Sequence, residues 1–207
     1  MRDVVSVLIV DDHPLLREGV AAVLEAEPDI RVVGEAADGR EAISRFERLR
    51  PDVVLMDLQM PGVDGVEAIA EIRAIAPDAR IIVLTTYAGD VRALSALRAG
   101  ASGYLLKSSL RRELIDTIRA VLGGQRYLHP AVAHDIAVNA IAEPLSDREI
   151  DVLRRVAQGA ANKEIARALS LSEDTVKGHM RSIFSKLDVT DRTQAVTVAH
   201  RRGIIAL

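Results

Sequence analysis

The chain has 207 residues, 49% of them apolar, with no cysteine and a formal net charge of −3. That length supports one large or two small domains with packed cores, and the cysteine count excludes a disulfide framework and any thiol-based metal or redox site. No apolar run approaches the ~18 residues of a membrane span. The short run VVSVLIV leads into Asp11 and Asp12, not into a small-residue cleavage site, so it does not read as a signal peptide. A cytoplasmic protein with no membrane partner is expected.

Charge divides the chain. Residues 1–122 carry 15 Lys and Arg against 20 Asp and Glu, whereas residues 144–207 carry 11 against 8. An acidic front and a basic back suggest two domains with different partners.

In chain order, the strand candidates are Val5–Val10, Ile30–Ala36, Val53–Met56, Ile81–Leu84 and Gly103–Leu106. Helix-period segments alternate with them. Leu16, Val20, Val23 and Leu24 share one face, with Pro14 at the first helical position, and Leu110, Leu114, Ile118 and Val121 repeat the signature. Five βα units predict a doubly wound parallel sheet with helices on both faces, and the uniformly apolar runs suit strands buried on both faces. Residues 123–143 break the pattern: Gly123 and Gly124 end the last helix, and Pro130 and Pro144 punctuate the stretch beyond them. They read as an interdomain linker with room for a short helix.

From residue 144 to 207 four short helices replace the strands. LSDREIDVLRRVAQG opens with a capping box, Ser146 to Glu149, and sets Ile150, Leu153, Val156 and Ala157 on one face. NKEIARALSLS, EDTVKGHMRSIFSKL and DRTQAVTVAHRRG come next. In the second of these three, Val176, Met180, Ile183, Phe184 and Leu187 lie on one face; Lys177, Arg181 and Ser185 lie opposite, with Gly178 and His179 near the entrance. An apolar face turned inward and a basic face turned outward, after a short helix and a tight turn at Leu171 and Ser172, is helix-turn-helix grammar.

In an open parallel sheet, ligands bind beyond the carboxyl ends of the strands. Asp11 and Asp12 close the first strand candidate, Asp57 the third, Thr85 the fourth and Lys107 the fifth. Clustered carboxylates repel one another unless a hard cation sits among them, and such oxygen ligands suit Mg²⁺. A carboxylate can attack phosphorus to give an acyl phosphate, with Lys107, Thr85 and the cation holding the phosphoryl oxygens. Asp57 emerges singly and is the expected acceptor; Asp11 and Asp12 look like the metal pair.

VLIVDDHPLLREG, DVVLMDLQMPGVDG, LTTY and GASGYLLK together resemble the receiver domain of two-component response regulators over residues 5–122. The resemblance implies a (βα)5 flavodoxin-like receiver. It also implies phosphoryl transfer to Asp57 from a phosphohistidine of a cognate sensor histidine kinase, with Thr85 and Tyr104 as the switch pair. In such domains the hydroxyl moves toward the phosphate and the aromatic ring moves inward after it. Ser108 stands after Lys107 where many receivers have proline.

Leu145 to Val196 resembles the LuxR-type helix-turn-helix domain nearly throughout, and the two halves together look like a NarL/FixJ-family response regulator. By that likeness Lys177, Gly178, His179 and Arg181 face promoter DNA in the major groove. Asn162, Lys163, Thr175 and Lys186 are implied phosphate contacts, which give affinity more than sequence choice. Ala161 stands where a serine often precedes the asparagine. Ala195, Val198 and Ala199 either pack within their own domain or form the face of a homodimer assembled on phosphorylation, as the family implies.

Two other readings compete. Aspartyl-phosphate phosphatases and mutases share such a rim of acids, but they carry a second acid two residues after the nucleophile, where Gln59 stands here. No enzyme activity is therefore expected. A constitutive DNA-binding protein with an inert receiver would not need the full set of acids with Thr85, Tyr104 and Lys107.

Overall fold

The computed structural model describes residues 4–86, 92–141, 143–202 and 204–205. The chain forms two compact units that divide between Ala133 and His134.

The first unit alternates β1 (Val5–Val10), α1 (Pro14–Glu25), β2 (Ile30–Ala36), α2 (Gly39–Leu49), β3 (Val53–Asp57), α3 (Gly65–Ile75), β4 (Ile81–Thr85), α4 (Arg92–Ala99) and β5 (Gly103–Leu106). A 3₁₀ turn (Lys107–Ser109), α5 (Leu110–Leu122) and β6 (Tyr127–Leu128) complete it. All pairings are parallel and the strand order is β2-β1-β3-β4-β5-β6. The winding reverses between β1 and β3, so the crevice of a doubly wound sheet opens where Asp11, Asp12 and Asp57 leave their strands. Every residue of β3 and β4 is buried, as strands covered on both faces must be.

On one face, Val7, Ile9, Val53, Leu55, Ile82, Leu84 and Leu105 pack against Val20 and Leu24 of α1 and Leu110, Leu114, Ile118 and Val121 of α5. Burial of each such side chain contributes about 2 kcal/mol. Asp38 and Asp64 cap α2 and α3 by accepting from the N–H groups of Glu41 and Glu67. No peptide bond among the described residues is cis.

The sixth strand was not expected. It lies in the segment read as linker, at the sheet edge, where Gly103 pairs with Tyr127 and Tyr104 with Leu128. The His129 N–H donates to the Tyr104 carbonyl at 3.0 Å, and the Tyr127 hydroxyl donates to Glu113 Oε2 of α5 at 2.9 Å. The His129 ring accepts from the Ala131 N–H at Nδ1, which leaves Nε2 to donate to Ser109 Oγ, 3.2 Å away. A two-residue strand has no periodicity of its own; these bonds to distant residues create it. Helix α6 (Pro130–Ile141) comes next, and the division between the units falls within it.

The second unit holds α7 (Asp147–Ala157), α8 (Asn162–Leu169), α9 (Glu173–Leu187) and α10 (Arg192–Arg201). Its core joins Val152, Leu153 and Val156 to Ile165, Val176, Met180, Ile183, Leu187, Ala195 and Ala199. The Ser146–Glu149 capping box forms as expected. Ser170 ends α8 in the left-handed region at φ 54°, and the chain turns through it into α9, which Ser172 caps through the Thr175 N–H. Ala161 gives α8 no side-chain cap; Glu164 reaches back to its N–H at 2.7 Å. Ala195 and Ala199 of α10 are buried within this domain. No helix among the described residues is long and apolar enough to cross a membrane.

Candidate functional site

At the carboxyl edge of the sheet, Asp57 and Thr85 are the last residues of β3 and β4, each 3% exposed, and Asp11 is fully buried just beyond β1. Lys107 reaches across from the end of β5. Its Nζ lies 2.6 Å from Asp11 Oδ2 and 2.9 Å from Asp57 Oδ2, so one ammonium bridges both acids. The Gln59 N–H donates to Asp57 Oδ1 at 3.3 Å, and Arg17 Nη1 donates to the Asp11 carbonyl at 2.6 Å.

Burial pushes the Asp57 carboxyl above its ordinary range. The charge and hydrogen bond of Lys107 oppose that shift, and the neighbouring Asp11 charge adds to it. Burial would lower Lys107, but its bonds to Asp11 and Asp57 outweigh burial and hold it above the usual lysine value. A lysine that stays charged beside a strained carboxylate is suited to receive a dianionic group.

Asp11, Asp12, His13 and Asp57 each offer a ligand atom, all within 4.8 Å of one another. Asp12 Oδ1 is buried and pairs with His13 Nδ1 at 2.7 Å. Three carboxylates gathered this closely form an oxygen donor set that fits a hard divalent cation. Thr85 lies on this rim, and Tyr104 lies one strand over, paired with Val83 of β4. The Tyr104 ring is fully buried.

On the second unit, Lys177, Gly178 and Arg181 are exposed along α9 opposite its buried Val176, Met180, Ile183 and Leu187, and His179 is half-buried. Lys177 pairs with Asp174 at 2.9 Å on the open surface, which lowers the acid and raises the lysine through their mutual hydrogen bond. Exposed pairs of this kind are weak. Asn162 is half-buried and Lys163 exposed in the first turn of α8. Thr175 bonds Ser172 Oγ at 2.8 Å. Asn162, Lys177 and Arg181 line a shallow cavity of about 270 Å³ with Arg192, floored by Met180 and Phe184.

Lys186, the remaining implied phosphate contact, is held by partners within the chain. Its ammonium bonds Glu149 Oε2 at 2.9 Å and the Pro144 carbonyl at 3.1 Å, with Glu143 at 3.3 Å. The lysine faces inward because Glu149, 4% exposed, needs a counter-charge.

Residues 7–119 match the family described as response regulator receiver domain, and residues 143–199 match the bacterial regulatory proteins of the luxR family. The transcriptional regulatory protein LiaR of Bacillus subtilis is 44% identical over 97% of this chain and 99% of its own. The chain belongs to the NarL/LuxR family of response regulators. The response regulator protein VraR of Staphylococcus aureus is 38% identical over 97% of this regulator and 99% of its own length. A solved structure of RcsB from Salmonella enterica serovar Typhimurium, bound to promoter P1flhDC with phosphomimetic BeF3⁻, superposes with a TM-score of 0.75. It has 29% identity and covers 96% of this chain and 99% of that one. The members of this family are DNA-binding transcriptional regulators of two-component systems, not enzymes.

Several residues of the regulator's sites escape sequence reasoning. His13 stands next to the acid pair and touches both of its members, at 3.2 Å from Asp11 Oδ1 and 2.7 Å from Asp12 Oδ1. Gly65 abuts the Asp57 backbone. Arg192 sits in the cavity beside α9, its guanidinium held by the Ala160 carbonyl at 2.9 Å. Only its place at the start of DRTQAV marked it, as one more charge in a basic segment.

Proposed function

We propose that Asp57 accepts a phosphoryl group from the phosphohistidine of a sensor histidine kinase, and that the modified regulator pairs as a homodimer and controls transcription by placing α9 in the major groove of promoter DNA. The observation that carries this reading is Lys107 bridging Asp11 and Asp57 at the switch point of the sheet. An Asp57 oxygen attacks phosphorus in line with the histidine nitrogen; the N–P bond breaks and the acyl phosphate forms, with the histidine leaving neutral. Lys107 holds one phosphoryl oxygen, and Thr85 is placed to bond another. Asp11, Asp12 and Asp57 would hold Mg²⁺, which would supply the further positive charge that such transfer requires. The buried floor of β3 keeps the acceptor fixed, since positioning is most of the catalysis.

Incubation of the full-length regulator with acetyl phosphate and Mg²⁺ tests the acceptor by intact mass. Wild type is expected to gain one phosphoryl group, Asp57→Asn none, and chelation of Mg²⁺ is expected to abolish the gain. Labelling of Asp57→Asn would move the acceptor elsewhere.

On α9, Lys177, Gly178, His179 and Arg181 are proposed to face the bases, and Asn162, Lys163 and Thr175 the phosphates. Gly178 supports the close approach. It lies exposed in the interior of a helix, where glycine costs about 1 kcal/mol relative to alanine, and an added Cβ would meet nothing within 4 Å in the chain itself. Gly178→Ala is therefore expected to raise the stability of the helical domain by roughly 0.5–1 kcal/mol while weakening promoter binding. Thermal melting and promoter titration read the two effects separately. Promoter binding as tight as wild type would put the α9 backbone away from the bases at this point.

A further inference from the structure

Resting on the phosphoacceptor reading above, we propose that His129 relays the state of the acceptor rim to α6, the helix within which the two units divide. The N–H and both ring nitrogens of this residue are bonded. The N–H donates to the Tyr104 carbonyl at 3.0 Å. Nδ1 accepts from the Ala131 N–H at 3.2 Å, and Nε2 lies 3.2 Å from Ser109 Oγ. Two of these bonds lead back to the rim: Tyr104 pairs with Val83 of β4, the strand that ends in Thr85, and Ser109 closes the 3₁₀ turn that Lys107 opens. The other leads into the helix.

His129 is the cap of α6. Its carbonyl accepts the first helical bond, from the Ala133 N–H at 3.0 Å. Pro130 occupies the first helical position and has no N–H to offer. The first donor of the helix is therefore that of Ala131, and the imidazole takes the place that Ser, Asp or Asn usually fills. A short capping side chain could serve the helix alone. The imidazole carries a nitrogen on each side, so it serves the helix with one and the Lys107–Ser109 turn with the other. Val132 is fully buried, so this first turn of α6 is packed as well as bonded.

The strap that carries His129 is short. β6 has two residues, held otherwise by the Tyr127 N–H on the Ser102 carbonyl at 3.2 Å and by the Tyr127 hydroxyl on Glu113 Oε2. That carboxylate oxygen is 3.7 Å from His129 Nε2, outside hydrogen-bond reach. A segment with so few bonds lies at the low-stability end of a fold. The structure satisfies all three His129 groups at once, so a shift of either anchor loosens the set. Lys107 is the source of the shift. Its ammonium is held by Asp11 Oδ2 and Asp57 Oδ2. A phosphoryl group on Asp57 sets new anionic oxygens beside it, and the turn moves as the lysine re-pairs. Ser109 is buried, so its hydroxyl moves with the turn.

Hydrogen exchange of residues 127–133 in the full-length protein, read by mass spectrometry with and without Mg²⁺ and the phosphoryl mimic BeF3⁻, tests the relay. Wild type is expected to exchange about fivefold faster with BeF3⁻, the equivalent of one lost hydrogen bond. Ser109→Ala removes the tie to the turn and keeps the cap. His129→Asn keeps an oxygen for the Ala131 N–H but is too short to reach Ser109. Both variants are expected to exchange at the raised rate from the start and to change by less than about twofold with BeF3⁻, while acetyl phosphate labels them as it labels wild type. A cap that serves α6 alone would leave His129→Asn responding as wild type does. Unchanged exchange in a wild type that takes the label, or a full response kept in either variant, would overturn the relay. Failure of wild type to take the label would overturn the acceptor reading, and the relay with it.

Discussion

Gly65→Ala is expected to slow phosphoryl acceptance at Asp57 on the order of 100-fold although it removes no reacting group. A Cβ on Gly65 would lie 2.1 Å from the Asp57 carbonyl oxygen, 2.7 Å from Leu58 Cα and 3.0 Å from the Asp57 carbonyl carbon. All three are backbone atoms of the strand end that carries the acceptor, so no flexible side chain can yield. The Gly65 N–H also donates to the Leu58 carbonyl at 3.2 Å, which ties the first turn of α3 to that strand end. Its backbone is ordinary for the start of a helix, and space alone demands the glycine. To relieve the clash, the end of β3 or the start of α3 must move by about an ångström or more. Asp57 would then leave the reach of Lys107, whose bond to it is 2.9 Å. Misplacement on that scale costs on the order of 100-fold in rate, and overpacking of this kind destabilises a core by about 1–3 kcal/mol. The labelling rate with acetyl phosphate and the melting temperature of the variant check both effects. A folded variant that labels at the wild-type rate would show that α3 can slide without dragging β3.

Gly65 also marks where legibility of the sequence ends. The inner strands read directly, because a strand covered on both faces must be a continuous apolar run; VVLMD is buried at every position, whereas the edge strand β2, IRVVGEA, is buried only at its ends. The rim of Asp11, Asp57, Thr85 and Lys107 came from where those runs stop and from the rule that parallel sheets bind ligands at their carboxyl ends. The four helices of the second unit came from caps and apolar spacing, with Ser146 and Glu149 forming the box their spacing predicted. The illegible part depends on approach between distant residues. Gly65 looks like a turn glycine after Asp64 until Asp57 is set against it. Tyr127 and Leu128 show no strand signal, because their ladder belongs to β5 and their anchors to α5. His13 is visible as a letter after two aspartates, but only its distance to both shows that it pairs with them.

Lys186, which the family likeness offers as a phosphate contact, is held by Glu149 and the Pro144 carbonyl, and its replacement carries the other large effect. Lys186→Met is expected to destabilise the helical domain by about 3 kcal/mol, since it removes one partner of a buried pair and leaves the other charge uncompensated. Glu149 is 4% exposed. Burial raises its carboxyl, but the Ser182 hydroxyl, the Ser146 N–H and hydroxyl, and Lys186 together hold it at about 2, against 4.5 for an ordinary glutamate. A carboxyl lowered on folding contributes stability that is fully present above about pH 4.5 and lost as the pH falls toward about 2. Without Lys186 the carboxyl rises, so the variant is expected to unfold at higher pH on acid titration than wild type. Adding Glu149→Gln removes the stranded charge and keeps an acceptor for Ser146 and Ser182; the double variant is expected to recover more than half of the lost stability. Thermal and acid melts of the three proteins measure this coupling. The double variant also separates the two roles open to the lysine on DNA. A phosphate contact contributes roughly one unit to the slope of log affinity against log salt. An unchanged slope is expected, because the ammonium is spent on Glu149 and Pro144; a slope reduced by about one would mean that promoter DNA draws Lys186 out of the pair.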